Sequence, residues 1–408
     1  MILIIIKLIS PSFYPSTYYG GPIQSTYKLS IALMKKNVDV RVITTNANGK
    51  EKLEVKTGVI HKLENELPVK YYRSLDSRGT SISMLLNLWK EIKNSDLVYL
   101  VSIFSPPTPY TIFLSRFYKK PLIISPRGQL GRWCLEQGNK FKKLWLHTFV
   151  LPYIKYLHWH LTSPAEEKDV LSVYPSAKTF VIPNGVNEEL FSLSDKPKDK
   201  SFYNKFTGFD CTDKKIIISM GRLDKVKGFN ILIESIGMIA KLVPNLPDGK
   251  AGLLRDLVLF IAGEDFGEKK NLEILIDKLA LKEKVFLIGR IDGLDKIKFL
   301  RNADVFALAS HHENFGMVIA EALAAGTPVI ASRNTPWQDV EKQNCGKWIE
   351  NTPEKFAEAI TEIIKSDQTQ MRNNGTNYIR EYFDWEKIAL EFKEKLEEIV
   401  ADNNTLQN

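Results

Sequence analysis

Short apolar runs recur along this chain, and a stretch of helical length follows each one. Residues 2–6, 38–44, 97–101, 122–125 and 179–182 make one series. Residues 216–219, 258–262, 285–288, 305–307 and 329–331 make a second. The runs are apolar throughout, without a polar alternation, which suits strands covered on both faces. Strands that alternate with helices predict α/β layers around parallel sheets. Between the first two runs, residues 23–36 predict a helix with Ile23, Tyr27, Ile31, Leu33 and Met34 facing inward.

A chain of 408 residues is long enough for two or three domains. Residues 192–215 are rich in Lys, Asp and Ser and read as a linker carrying an insertion. The expected organisation is a first domain at 1–191, the linker at 192–215, a second domain at 216–380, and a C-terminal helix and tail at 381–408. Within that last segment, residues 385–400 read as a charged amphipathic helix packing back toward the first domain, and 401–408 as a frayed polar tail. The fold class is thus α/β, with two doubly wound, Rossmann-like domains facing across a cleft. Ligands in such sheets bind beyond the C-terminal strand ends.

Composition removes other classes. The hydrophobic share is 44% and the charged share 25%, which excludes a disordered, collagen-like or disulfide-scaffold chain. Cys134, Cys211 and Cys345 lie far apart, with no CxxC and no His at zinc spacing, and read as reduced thiols. The net charge of +8 suits an anionic ligand or surface and is too weak to argue nucleic acid. No apolar run reaches the roughly 18 residues a bilayer span needs. Residues 1–6 are too short for a signal-peptide core and Lys7 ends them. The expected location is therefore the cytoplasm where the chain is made, with a peripheral place on the inner face of the membrane.

Two segments carry chemistry. Gly221-Arg222-Leu223-Asp224-Lys225-Val226-Lys227-Gly228 follows the strand at 216–219. Gly221 permits close backbone approach, Arg222 offers a planar fork for phosphate oxygens, and Lys227 adds a point charge from the same loop. The pair fits a diphosphate, and it also fits a solvated basic turn. The second segment runs from Ser310 through His311, His312, Glu313, Asn314, Phe315, Gly316 and Met317 to Glu321. A helix is expected to start near Phe315 or Gly316 and to end at Gly326 before Pro328. Its first N–H groups form an anion site. Glu321 sits among Ile319, Ala320 and the alanines that follow, where a buried carboxylate needs a partner.

Together these segments resemble the retaining glycosyltransferases of the GT4 family, which have the GT-B fold. The resemblance rests on Gly221-Arg222-Leu223 with Lys227-Gly228, on the Glu-x7-Glu pair Glu313 and Glu321, and on Val181-Ile182-Pro183-Asn184-Gly185-Val186. It also includes Gly263, Gly289, Asp304, Ala324-Ala325-Gly326-Thr327-Pro328-Val329, and Pro15 with Gly20-Gly21. It implies an acceptor-binding first domain and a nucleotide-sugar-binding second domain. Arg222 and Lys227 would bind the donor diphosphate. Glu313 would contact the sugar, the backbone of Phe315, Gly316 and Met317 the phosphates, and Glu321 the ribose. Ile291 would lie near the base, and Gly20 and Gly21 would close the phosphate end of the cleft. UDP is the nucleotide most frequent in the family.

One position departs from that pattern. Many members carry a His after the Ser-Pro of the fourth strand of the first domain, whereas here Ser125-Pro126 precedes Arg127-Gly128. Arg127 is expected either to meet a phosphate, an anionic sugar or the acceptor, or to be a structural arginine paired with a carboxylate. No Asp-x-Asp stands at a strand end to hold a metal. The expected reaction is thus metal-independent transfer with retention, with no cofactor. The acceptor would be a glycan or a polyprenyl-linked oligosaccharide of surface polysaccharide synthesis.

Residues 139–160 contain Lys140, Lys142, Lys143 and Lys155 with no Asp or Glu, beside Phe141, Trp145, Phe149 and Trp159. Phe141, Leu144, Trp145 and Thr148 share a helical face, and Pro152 divides the stretch into two short helices. It fits an anionic membrane surface, and equally a core helix pair with exposed lysines. His147, His158 and His160 have no carboxylates at metal spacing and read as packing residues. Two other readings stay open: a nucleotide-sugar epimerase of similar fold, and a non-catalytic nucleotide-sugar-binding subunit. The Gly-x-Gly-x-x-Gly fingerprint of nicotinamide enzymes and the P-loop are both absent from the sequence.

Overall fold

A computed structural model describes residues 4–16, 18–136, 140–193, 197–242 and 254–407. The chain divides into two compact units, residues 1–185 with 385–408, and residues 186–384. Each unit is a parallel α/β sandwich.

The sheet of the first unit contains β1 (Ile5–Ile9), β2 (Asp39–Thr45), β3 (Ile60–Lys62), β4 (Pro68–Tyr72), β5 (Leu97–Val101), β6 (Leu122–Ser125), β7 (Leu157–Leu161) and β8 (Lys178–Val181). Their order is β8-β7-β6-β5-β1-β2-β4-β3, and every pairing is parallel except β3 with β4. The second sheet contains β9 (Lys215–Met220), β10 (Leu257–Ala262), β11 (Val285–Leu287), β12 (Val305–Leu308), β13 (Val329–Ser332) and β14 (Gly346–Ile349). Its order is β11-β10-β9-β12-β13-β14, parallel throughout.

The apolar runs are explained by two-sided burial. In β9, Ile216, Ile218 and Met220 join the cluster containing Tyr203, Phe260 and Phe306. Ile217 points the other way, into the cluster of Leu232, Ile236, Leu259 and Ile360. In β5, Leu97, Tyr99 and Val101 face Phe392 and Leu396, while Val98 and Leu100 face Leu88 and Trp159. Successive side chains alternate sides, and both sides are core.

Four expectations change. The first strand is Ile5–Ile9 rather than residues 2–6. Lys7, read as the end of the run, lies within it: its side chain is 6% exposed and its Nζ donates to Glu91 Oε2 at 2.7 Å. Residues 157–160, expected as helix, are strand β7, because Trp159 and His160 are buried between the sheet and its cover. The division between units falls at Gly185–Val186, not at a linker over 192–215. The part of that segment from Lys198 onward packs into the second unit. Tyr203 is fully buried and donates to the Phe299 carbonyl at 2.5 Å, and Cys211 lies in the same core; residues 194–196 lie outside the described set. Finally, residues 401–407 are not frayed: the C-terminal helix runs Trp385–Gln407 within the first unit. Asn403 there donates to the Lys119 carbonyl at 3.1 Å.

The Lys7–Glu91 pair tests this architecture. Burial raises the Glu91 pKa, but the hydrogen bond and charge of Lys7, with Lys70 adding, outweigh it and hold the carboxyl below its ordinary value. Stabilisation from Glu91 is therefore full above the ordinary carboxylate range and is lost as pH falls through the lowered pKa. Glu91→Ala strands the Lys7 ammonium in the sheet and is expected to cost about 3–5 kcal/mol in urea unfolding near neutral pH. A loss under about 1 kcal/mol would show the pair to be dispensable.

Candidate donor site on the second unit

Because β9 to β14 are parallel, the loops after β9, β10 and β12 emerge at one edge. There the backbones touch. The Gly221 N–H donates to the Ala262 carbonyl at 3.0 Å, Leu223 N–H to Glu264 O at 2.8 Å, and Gly263 N–H to Gly289 O at 2.8 Å. A Cβ on Gly263 would lie 1.7 Å from the Gly221 oxygen, and one on Gly228 would lie 2.0 Å from the Ala309 oxygen. Both glycines are therefore required by close approach of neighbouring loops.

Asp224 caps a short turn by accepting from Val226 N–H at 3.0 Å. Gly228 (φ +61°) then redirects the chain into the helix Phe229–Leu242. This turn aims Lys227 at Glu313: Nζ and Oε1 form an ion pair, with side chains 15% and 12% exposed. Ser310 Oγ donates to the same Glu313 oxygen at 3.0 Å, and the Glu313 N–H is held by Asn334 O at 3.2 Å. Arg222 is exposed, with its guanidinium 5.0 Å from the centre of the Phe266 ring. Among the described residues it forms no ion pair.

Gly316 (φ +77°) is the N-cap of the helix Met317–Ala324, so that helix begins one or two residues later than expected. Trp337 Nε1 donates to the Phe315 carbonyl, and the Trp337 ring packs edge-on to Phe315. This fixes the entry to the helix, whose first N–H groups have no acidic residue in the opening turn. Glu321 pairs with Lys296 Nζ at 2.6 Å through Oε1. Its other oxygen, Oε2, is buried with no hydrogen-bond partner among the described residues. A buried lone carboxylate oxygen is an acceptor awaiting donors such as a pair of hydroxyls. The structure thus places Arg222, Lys227, Glu313, Phe315 and Gly316 on loops at one sheet edge, and Met317 and Glu321 in the helix that starts there. Ile291 sits beyond β11, partly buried against the core, and its neighbour Arg290 is tied to Asp292 at 2.5 Å.

The first unit carries a second polar cluster. Arg127 has φ +53°, in the left-handed region that is uncommon for a residue other than glycine. Its Nη1 donates to Asn184 Oδ1 at 2.8 Å and its Nη2 to Tyr99 Oη at 3.3 Å, while Nε is buried without a partner. His160 Nε2 bonds the Ile182 carbonyl at 2.9 Å, so its Nδ1 accepts from Tyr99 Oη at 2.7 Å. Burial, with Arg127 adding, pushes the His160 pKa down to about 3. Glu166 accepts from Gly128 N–H at 2.6 Å and from Thr162 N–H at 2.8 Å. Gly20 (φ +75°) caps the helix Gly21–Lys35.

Several of these partners escaped the sequence reading. Phe266, Lys296, Trp337 and Tyr99 reach the sites from distant segments and no local pattern announces them, whereas His160, read as a packing residue, is indeed buried against Phe392. Glu166 did carry a signal: Ser163 and Glu166 stand at the spacing of a capping box, and Ser163 Oγ does accept from Glu166 N–H at 3.2 Å.

Two Rossmann-like units, the second with a cationic loop at the C-terminal ends of its strands, make up a GT-B architecture. Residues 204–382 match the family described as glycosyl transferases group 1, and residues 19–190 match glycosyltransferase family 4. The chain belongs to the GT4 glycosyltransferase family. It is 31% identical over 261 residues to a probable sucrose-phosphate synthase of Thermosipho melanesiensis, covering 60% of this chain and 55% of that one. It is 34% identical over 163 residues to the lipopolysaccharide core biosynthesis glycosyltransferase LpsE of Rhizobium meliloti, covering 39% and 42%. The chain spans about half the length of the curated relatives it matches. Among solved structures, HepE of Anabaena in complex with UDP superposes with a TM-score of 0.73 at 20% identity, covering 97% of this chain and 100% of that one.

Gly263→Ala places a methyl group against the Gly221 carbonyl. Overpacking of this kind costs about 1–3 kcal/mol, so melting temperature is expected to fall by several degrees. An unchanged melting temperature would mean that the two loops are not held as described.

Proposed function

We propose that the chain transfers a sugar from a nucleotide-sugar donor, a UDP-sugar by family frequency, to a glycan or polyprenyl-linked acceptor in surface polysaccharide synthesis, with retention at the anomeric carbon. The observation that carries this is the convergence of Arg222, the Lys227–Glu313 pair and the open N-terminus of the helix Met317–Ala324 at one edge. Two cations and free N–H groups suit a diphosphate leaving group. The unpartnered Glu321 oxygen suits ribose hydroxyls, and Glu313 suits a hydroxyl of the transferred sugar. The bond from the anomeric carbon to phosphate oxygen breaks as the acceptor oxygen bonds that carbon from the same face. The acceptor proton passes to the departing phosphate oxygen. In this reading charge neutralisation is the work of Arg222 and Lys227, without a metal ion. Arg127 offers its Nε to an anionic substrate group on the first unit.

Melting-temperature shifts against UDP-, GDP-, ADP- and TDP-sugars with EDTA present test the donor assignment. A ligand at 100 times its Kd stabilises by about 2.7 kcal/mol. One nucleotide class is expected to give the shift, and Arg222→Ala to abolish it and to lower transfer by roughly 10²-fold or more. No shift with any of the four, or a tenfold loss of transfer in EDTA, would count against the mechanism.

We also propose that the first unit rests on an anionic membrane surface. Phe141 and Leu144 are 71% and 60% exposed, and Phe117 on the neighbouring helix Thr108–Phe117 is 67% exposed. Arg116 stacks on Tyr156 at 4.4 Å, and Lys143 and Lys155 are exposed in the same stretch. Apolar side chains ringed by cations suit the headgroup region. No helix among the described residues is long and apolar enough to cross a membrane. Flotation with phosphatidylglycerol vesicles is expected to carry the protein at low salt and to weaken with added salt. Phe141→Ser with Leu144→Ser is expected to reduce it severalfold. Absence of flotation at low salt would remove the membrane assignment.

A further inference from the structure

The second sheet has another edge. Opposite the donor loops, where β9, β12 and β13 begin, lies a cavity of about 630 Å³. That volume is in the range of small-molecule sites. Its wall carries four cations, Lys215, Arg301, Arg372 and Arg380, and two carboxylates, Asp304 and Asp367. Both carboxylates are already engaged. Asp304 accepts from the Ile216 N–H at 2.8 Å and pairs with Lys200 at 2.8 Å. Asp367 accepts from the N–H of Thr369 at 2.9 Å, at the start of the helix Thr369–Tyr382. Arg372 lies 3.9 Å from Asp304 and donates to Gln368 Oε1 at 2.7 Å.

Behind the wall the excess grows. Lys198 is partly buried and donates to the Ala303 carbonyl. Burial, and then the nearby charge of Arg372, hold its pKa well below the ordinary lysine value. Arg372 is likewise lowered, by burial first. Lys198 thus sits beside three further cations, Arg372, Lys200 and Arg301, with Asp304 as the carboxylate that offsets them. Buried charge is ordinarily matched by opposite charge. Arg301 and Arg372 offer planar forks suited to phosphate oxygens, and Gly326 (φ +76°) leaves the floor open beside Arg301 and Thr376. Strand length separates this edge from the donor loops by about 15–20 Å, so a diphosphate at Arg222 cannot reach it.

We infer that this cavity binds a small phosphorylated molecule at a site distinct from the donor site, the phosphoryl group lying among Lys215, Arg301, Arg372 and Arg380. The inference rests on the fold and charge of the second unit and not on glycosyl transfer.

The test is a melting-temperature and calorimetric titration of the full chain with inorganic pyrophosphate and, separately, with a hexose phosphate, at matched ionic strength in chloride. Binding is expected in the wild type and in the double variant Arg222→Ala with Lys227→Ala, which disables the donor loop. The double variant Lys215→Gln with Arg380→Gln is expected to weaken it at least tenfold. Arg380 is exposed, so Arg380→Gln alone provides a folded control and is expected to weaken binding severalfold. The tighter of the two probes tells whether a free anion or a phosphate ester is preferred. Response lost in the donor-loop variant but intact in the cavity variants would overturn the inference, and so would no response to either probe.

Discussion

All strands of the second sheet run parallel and its four central strands are buried on both faces, and the site follows from that constraint. Parallel strands cannot be joined by tight turns, so each returns through a helix and each delivers its following loop to the same edge. Three such loops meet there through the bonds Gly221 N–H to Ala262 O and Gly263 N–H to Gly289 O, and Gly263 leaves no room for a Cβ beside the Gly221 oxygen. The cationic segment after β9 and the acidic segment after β12 are separated by more than eighty residues in sequence. The sheet order β10-β9-β12 places them side by side.

The same constraint makes the two edges chemically different. At the C-terminal edge the cations are matched pair by pair, Lys227 with Glu313 and Lys296 with Glu321, while Arg222 forms no ion pair among the described residues. At the N-terminal edge, Lys198, Lys200, Arg301 and Arg372 crowd around Asp304. Asp304 also accepts the Ile216 N–H that opens β9, so it joins strand geometry to local charge. One carboxylate can anchor a strand and still leave positive charge facing the cavity.

Much of the fold was readable because two-sided burial writes itself as continuous apolar runs. Leu97–Val101 and Leu122–Ser125 coincide with the expected strands residue for residue. The failures share one cause, which is that partners from elsewhere override local character. Lys7 sits in β1 because Glu91 neutralises it. His158 and His160 sit in β7 although the surrounding stretch is basic and aromatic, because His160 bonds Tyr99 and Ile182 inside the core. The polar segment beyond Lys198 is no linker, because Tyr203 and Cys211 fill the second unit. At the candidate donor site, Arg222, Lys227, Glu313 and Glu321 stood in the sequence. The residues that aim them from distant segments, Phe266, Trp337 and Lys296, become visible only once the strands are ordered.

Arg222 and Lys227 differ in what holds them, and the difference suits two tasks. Arg222 is exposed, steadied by an aromatic face alone, and a guanidinium in that state reaches an incoming anion at little desolvation cost. Lys227 is largely buried and already paired with Glu313. An ammonium so placed is oriented before any ligand arrives, and its charge acts in a poorly solvated setting where it counts for more. Glu313 in turn keeps Lys227 from being a costly isolated charge, and Ser310 shares the same oxygen. In the proposed reaction a phosphate meeting Lys227 would share the ammonium that Glu313 already holds, so that one ion pair would link the phosphate position to the neighbouring acceptor.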